Sequence, residues 1–95
     1  SGIEGQSSML MAAKDAERRL AASDLAAVKT AFAQLMEDIS YADRNGRPDT
    51  RELEASVVSG LAALEAQGDE EGLMSAIQEM RNQVAQRADV LKAGR

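Results

Sequence analysis

The chain has 95 residues, a formal net charge of −5 at pH 7, and neither Cys nor His, and its length suits one small domain. This composition excludes disulfides, thiolate or Ser-His catalysis, and metal sites built on Cys or His. The negative charge and the low aromatic content of 2% argue against binding a phosphate backbone or stacking on nucleic-acid bases.

Residues 1–7 form a Gly- and Ser-containing segment in which Ile3 is the one apolar residue. Because the chain does not begin with Met, we expect this segment to be a disordered tail or the remnant of a tag. We place a single helical domain over residues 8–93. No apolar run approaches the roughly 20 residues that a membrane span needs. No targeting segment is visible, which favours a cytoplasmic location.

Two helices are predicted before the first Gly of the domain. Residues 6–45 contain no Gly or Pro and are rich in strong helix formers. Their apolar residues form two stripes that do not join smoothly, and Ser23 and Asp24, both good N-caps, lie at the seam. We therefore predict helices over about 8–21 and 24–42, with one continuous helix as the alternative. The stripes are Met9, Ala13, Ala16 and Leu20, then Leu25, Val28, Phe32, Leu35, Ile39 and Ala42.

A loop follows the second helix. The Asn45-Gly46 dipeptide favours a positive φ angle, and Pro48 prevents a helix from continuing through it. Asp49, with Glu52 three residues later, predicts a capping box at the start of the third helix.

Two further helices are predicted after this loop. The third covers about residues 50–66, and Gly68 takes the C′ position that ends it. Asp69 caps the fourth helix, and Glu70 and Glu71 favour the positive end of its dipole. The apolar faces of these helices are Leu53, Val57, Leu61 and Leu64, then Leu73, Ile77, Met80, Val84 and Leu91.

These elements predict an all-α fold, a small antiparallel helical bundle made of two helical hairpins. It has four helices, or three if residues 8–42 form one helix. We expect Phe32 in the core and Tyr41 at its edge, and we assign Arg87 and Lys92 to the negative C-terminal end of the fourth helix. Much of the hydrophobic content is Ala, so the core should be thin, and self-association or a partner would supply additional burial.

The sequence predicts a non-catalytic interaction module, either an adaptor, a chaperone-like protein or an assembly domain. We expect it to bind a helix of another protein or a second copy of itself. We expect no enzymatic activity, cofactor, metal, small-molecule substrate, nucleic acid or membrane as partner. Met adapts well to varied partner surfaces, and Met9 and Met11 lie on different helix faces, so at least one should be exposed. The expected partner-binding residues are Met9, Leu10, Met11, Glu65, Asp69, Glu70 and Glu71.

A first alternative is a calcium-responsive module built on residues 41–54, which resemble a degenerate EF-hand loop. Counted from Asp43, the loop places Arg47 at a ligand position. Counted from Tyr41, it places a Tyr where the leading carboxylate belongs, although Glu52 then falls at position twelve. A capped loop between two helices explains the same residues.

A second alternative is an acidic inhibitor that occupies a basic nucleic-acid-binding surface. Residues 49–79 contain eight acidic residues and a single basic residue, Arg51, so the excess negative charge of the chain is concentrated there. Such a run is otherwise an ordinary solvated face.

Overall fold

Strong helix formers and apolar residues spaced three and four apart produce four α-helices in residues 5–94, the part of the chain that this computed structural model describes. The helices are α1 (Gly5–Leu20), α2 (Ala26–Ser40), α3 (Arg51–Ala62) and α4 (Glu70–Ala93). A 3-10 turn, Pro48–Thr50, precedes α3, and another, Leu64–Gln67, follows it. Residues 5–94 contain no strand, so the all-α prediction is confirmed.

The bundle consists of the two expected hairpins, α1 with α2 and α3 with α4. Both α1 and α4 pack against α2 and α3, so α1 and α4 occupy opposite corners of the bundle. Arg19 of α1 donates to the Leu61 carbonyl of α3 at 3.0 Å, and Gly5 lies against Glu54, so α1 and α3 run parallel. The chain must therefore cross the end of the bundle diagonally between α2 and α3. We call this segment, residues 41–50, the crossover.

The predicted break between the first two helices is confirmed, and the three-helix alternative is excluded, because α1 ends at Leu20 and α2 begins at Ala26. The capping prediction was wrong. The N-cap position of α2 is Leu25, and no side chain caps it. Ser23 Oγ instead accepts from the Leu25 N–H at 3.1 Å, which stabilises the turn before the helix rather than the helix itself.

The start of α1 corrects the prediction of a disordered tail over residues 1–7. The helix begins at Gly5, and Gln6 Nε2 donates to the carbonyls of Ile39 and Ser40 at 3.1 and 3.2 Å. These carbonyls belong to the last turn of α2, where no further helical turn supplies N–H groups four residues on. Residues 5–7 are therefore part of the bundle, and residues 1–4 of the expected tail lie outside the described residues.

The start of α3 also differs from the predicted capping box of Asp49 and Glu52. Thr50 Oγ1 accepts from the Arg47 N–H at 2.9 Å, and Glu52 is exposed. The Asp49 carboxylate instead accepts two hydrogen bonds from the Arg47 guanidinium, at 2.6 and 3.1 Å. The φ angle of Gly46 is not positive, so a Gly is required there for another reason, given below.

The connection between α3 and α4 follows the prediction more closely. The α-helix stops at Ala62, earlier than expected, and tightens into the second 3-10 turn. Gly68 then has a φ of 83°, and Asp69 caps α4 by accepting from the Gly72 N–H at 2.9 Å. Gly at the left-handed position and Asp at the N-cap are the residues that these conformations favour.

The core comes almost entirely from the predicted stripes. Tyr41 is an exception, because α2 ends at Ser40 and the Tyr41 side chain is 85% exposed. Leu25, Ala42 and Leu53 of the predicted stripes are only half-buried, and Glu54, the neighbour of Leu53, is buried in its place. All four helices contribute buried apolar residues to one common core, which includes Met9, Ala16, Val28, Phe32, Leu35, Ile39, Val57, Leu61, Ile77 and Met80.

Candidate functional site

A buried polar cluster lies where the crossover meets α3 and α4. Arg87 Nε is 2.7 Å from Glu54 Oε2, and the two side chains are only 1% and 8% exposed. Thr50 Oγ1 donates to the same carboxylate oxygen at 2.9 Å. Gly5 and Gly46 close around this carboxylate, and a Cβ atom on either would overlap it. Gly46 is therefore required by close approach rather than by its φ angle.

Helical spacing contains a signal for this cluster that the sequence reasoning missed. Arg87 fills the position between Val84 and Leu91 in the buried stripe of α4, and Glu54 precedes Val57 by three residues in α3. In an antiparallel hairpin these two positions fall at the same level. The assignment of Arg87 to the helix dipole was wrong, because its guanidinium is buried against Glu54.

The cluster holds structure together rather than offering reactive groups. Its carboxylate already accepts from an arginine and a hydroxyl, and the side chains of Thr50, Glu54 and Arg87 are buried. Arg87 Nη2 is buried without a hydrogen-bond partner. In a buried ion pair the cost of removing two charges from water offsets much of their attraction, so the pair adds little net stability.

A groove of about 550 Å³ runs between α2 and α4 beside the crossover. Arg81 forms part of its wall, with Nε 2.7 Å from Asp38 Oδ2 and Nη1 2.9 Å from Gln34 Oε1. The hydrogen bond that Arg81 donates to the Asp38 carboxylate raises the pKa of Arg81. We call this feature the α2/α4 groove; its lining includes Asp38, Tyr41, Gln78, Arg81, Asn82 and Ala85.

The three predicted partner-binding residues of α1 do not share one surface. Met9 is fully buried in the core, which corrects its expected role, because its helix face points towards the other three helices. Leu10 is half-buried and packs against that core. Met11 is 72% exposed, as expected for one of the two methionines. Its neighbours on the same helix face are polar: Ser7, Lys14, Asp15 and Arg18.

The four predicted acidic residues are all exposed at the opposite end of the bundle from the crossover. We call Glu65, Asp69, Glu70 and Glu71 the acidic end. Arg19 forms an ion pair with Glu65, and this hydrogen bond lowers the pKa of Glu65. The Asp69 carboxylate is used as the cap of α4. Glu70 and Glu71 sit in the first turn of α4, where the helix dipole favours them.

The crossover does not gather the ligands of a calcium loop. The Asp49 carboxylate is bound by Arg47, whose hydrogen bond lowers the pKa of Asp49. Glu52 is exposed, and the carboxylate that does point inwards, Glu54, is paired with Arg87. Within residues 5–94, no group of three or more acidic side chains is arranged to hold a metal ion.

Comparisons with protein-family models, with curated proteins and with solved structures found no significant match. None of the helices in the described part of the chain is long and apolar enough to cross a membrane. The surfaces of this bundle that offer exposed groups to a partner are the α2/α4 groove, the acidic end and the isolated Met11.

Proposed function

We propose that the chain is a non-catalytic helical module that binds another protein through the α2/α4 groove. The observation that carries this proposal is Tyr41, which is 85% exposed at the edge of the groove. The other aromatic residue of the chain, Phe32, is buried in the core. Tyr and Arg are, with Trp, the residue types enriched among the side chains that dominate binding energy at protein interfaces, and Tyr41 and Arg81 line the same groove.

Covering Tyr41 would provide a meaningful part of a binding free energy. An aromatic side chain buries about 150–250 Å², and at about 25 cal/mol per Å² its burial is worth several kcal/mol at most. The ion pair of Arg81 with Asp38 holds one wall of the groove in place, which lowers the entropy that a partner must remove. A partner helix with an apolar anchor and hydrogen-bonding side chains suits this surface, and a second copy is the other possible occupant.

Tyr41→Ser and Met11→Ser form a matched pair of variants for testing the proposal. Both remove an exposed apolar side chain, but Met11 lies on a polar face away from the groove. Affinity capture from an extract of the source cells, quantified by mass spectrometry, should recover a partner with wild type and Met11→Ser and lose it with Tyr41→Ser. Light scattering behind size exclusion over a concentration range identifies a second copy as the partner. Equal recovery by both variants would refute the groove as the binding surface.

The acidic end supports a second candidate function, the inhibition of a protein with a basic nucleic-acid-binding surface. Its four carboxylates are exposed together, and within residues 5–94 the only cationic side chain seen in an ion pair with them is that of Arg19. Because Glu65 is paired and Asp69 caps α4, the charges to test are Glu70 and Glu71.

The test for this function is charge reversal of Glu70→Lys together with Glu71→Lys. The control is Glu52→Lys with Glu79→Lys, which changes the net charge equally at exposed positions outside the acidic end. Inhibition would be supported if excess duplex DNA displaces the captured partner and if binding of the partner weakens steeply with salt. Binding should also be abolished by the first pair of substitutions and not by the control pair. Equal losses of binding from both pairs of substitutions would show that the effect comes from the net charge of the protein and not from the acidic end.

A further inference from the structure

The Asn45-Gly46 dipeptide of the crossover combines an exposed side chain with a confined backbone. Asn45 is exposed, while Gly46 is buried against Glu54 and Thr50. We propose that Asn45 is a site of spontaneous modification to isoaspartate, that the folded crossover suppresses this reaction, and that the product in turn opens the crossover. Asn is among the chemically labile residues of proteins, and a following Gly offers the least steric hindrance to the reaction.

The reaction consumes water and releases ammonia. The main-chain nitrogen of Gly46 loses its proton to hydroxide and attacks the side-chain carbonyl carbon of Asn45. A new C–N bond closes a five-membered cyclic imide, the bond from the side-chain carbonyl carbon to its own nitrogen breaks, and that nitrogen takes a proton from water and leaves as ammonia. Water then opens the imide at either carbonyl. Opening at one regenerates a normal chain with aspartate, and opening at the other routes the main chain through the side-chain carbon as isoaspartate. No oxidation or reduction takes place.

The structure restrains the backbone movement that ring closure needs. On one side, the Arg44 carbonyl accepts from the Gln6 N–H at 3.3 Å. On the other, the Arg47 N–H donates to Thr50 Oγ1 at 2.9 Å. Between these points, Gly46 packs so closely that a Cβ atom added to it would overlap the Glu54 carboxylate and Thr50 Oγ1. Ring closure requires rotation of the main chain at Asn45 to bring the Gly46 nitrogen to the Asn45 side-chain carbonyl carbon, and this segment has little room for it while both flanks stay bonded.

The product should be incompatible with the same packing. Isoaspartate at position 45 lengthens the main chain by one carbon between two hydrogen-bonded flanks, Arg44 and Arg47. The added length must displace Gly46, which lies against the carboxylate of the Glu54–Arg87 pair. Asn45→Asp introduces the same new charge without lengthening the chain, so it separates the effect of geometry from the effect of charge.

The first experiment measures the rate at which Asn45 is modified at mildly alkaline pH, by peptide mass spectrometry and enzymatic detection of isoaspartate. The full chain is compared in buffer and in a urea concentration that unfolds it. We expect the folded chain to react at least about tenfold more slowly, since reaction requires local opening. Thr50→Val, which removes the hydroxyl that holds Arg47, should accelerate the reaction in buffer but not in urea. Asn45→Gln should abolish the signal at this position. Equal rates in buffer and urea would refute the suppression.

The second experiment compares the purified isoaspartate form with wild type and Asn45→Asp by thermal unfolding and amide hydrogen exchange. We expect a lower melting temperature and faster exchange in residues 41–50 for the isoaspartate form only. Identical melting and exchange of the isoaspartate form and Asn45→Asp would overturn the coupling between this modification and the crossover.

Discussion

The buried pair of Glu54 and Arg87 makes a quantitative prediction about stability. Its side chains are 8% and 1% exposed, so either substitution alone, Glu54→Leu or Arg87→Met, leaves the other charge buried without its partner. Such a loss typically costs about 3–5 kcal/mol. A chain of this size has a total stability of roughly 5–14 kcal/mol, so each single variant should be severely weakened, and some of its population should unfold at moderate temperature.

The double variant Glu54→Leu/Arg87→Met should be far more stable than the sum of the single variants implies. Replacing both charges with apolar groups is often neutral or favourable, and the Thr50 hydroxyl keeps an acceptor in the Arg47 carbonyl at 3.1 Å. The single losses add to about 6–10 kcal/mol, so a double variant within about 2 kcal/mol of wild type gives a coupling energy of at least about 4 kcal/mol.

Urea unfolding followed by far-ultraviolet circular dichroism measures all four proteins. Helix content is the suitable signal, because the exposed Tyr41 already lies in water in the folded state. The dependence of the unfolding free energy on urea should stay unchanged across the cycle, which shows that the same surface unfolds. A cost below about 1 kcal/mol for Arg87→Met, or simple additivity in the double variant, would refute the reasoning.

Three further predictions concern the turns and the acidic end. Asp69→Ala removes the cap of α4 and should cost about 1 kcal/mol in thermal unfolding, whereas Glu70→Ala should change stability by less than about 0.5 kcal/mol; equal effects would contradict the capping role. Gly68→Ala should cost about 1–3 kcal/mol through backbone strain at a φ of 83°, since nothing lies within 4 Å of the new Cβ; an unchanged melting temperature would show that the turn adapts. The pKa of Glu65 is lowered by Arg19, so its stabilisation is present above the ordinary glutamate pKa of about 4.3 and disappears as the pH falls through the lower folded value. The small advantage of wild type over Glu65→Gln in melting temperature at pH 7 should therefore vanish in acid, and an advantage that persists there would contradict the ion pair.

The sequence was sufficient for the helices because their signals are local. Stripes such as Val28, Phe32, Leu35 and Ile39 recur at helical spacing, and Asp69 has the chemistry of an N-cap. Residues whose role depends on distant neighbours were not recovered. Glu54 and Arg87 are charged, so their positions in the apolar stripes were not recognised as buried. Their opposite charges predict an ion pair only once it is known that α3 and α4 pack against each other.

The surfaces were harder to predict than the core. Tyr41 was expected at the edge of the core, but its exposure depends on where α2 ends, and helix ends are set by details of hydrogen bonding that vary by a residue or two. Met9 and Met11 are two residues apart, which at 3.6 residues per turn places them on nearly opposite faces of α1, so one side chain is buried and the other exposed. The acidic residues were recognised from composition, while their use as a cap or an ion pair required the structure.

The arrangement of the chain ends has a mechanical consequence. Gly5 lies against Glu54, and Gly94 lies against the guanidinium of Arg47, so both ends of the described chain meet at the crossover end. A force applied through Gly5 and Gly94 acts perpendicular to the helix axes at the crossover end of the bundle. It pulls α1 and α4 apart one helical turn at a time, starting from that end. Loads of this kind break few contacts at once, so we expect unfolding at low force in an optical trap. Attachment points at Gly5 and Gly68, at opposite ends of the bundle, would instead load parallel helices in shear and should require a higher force.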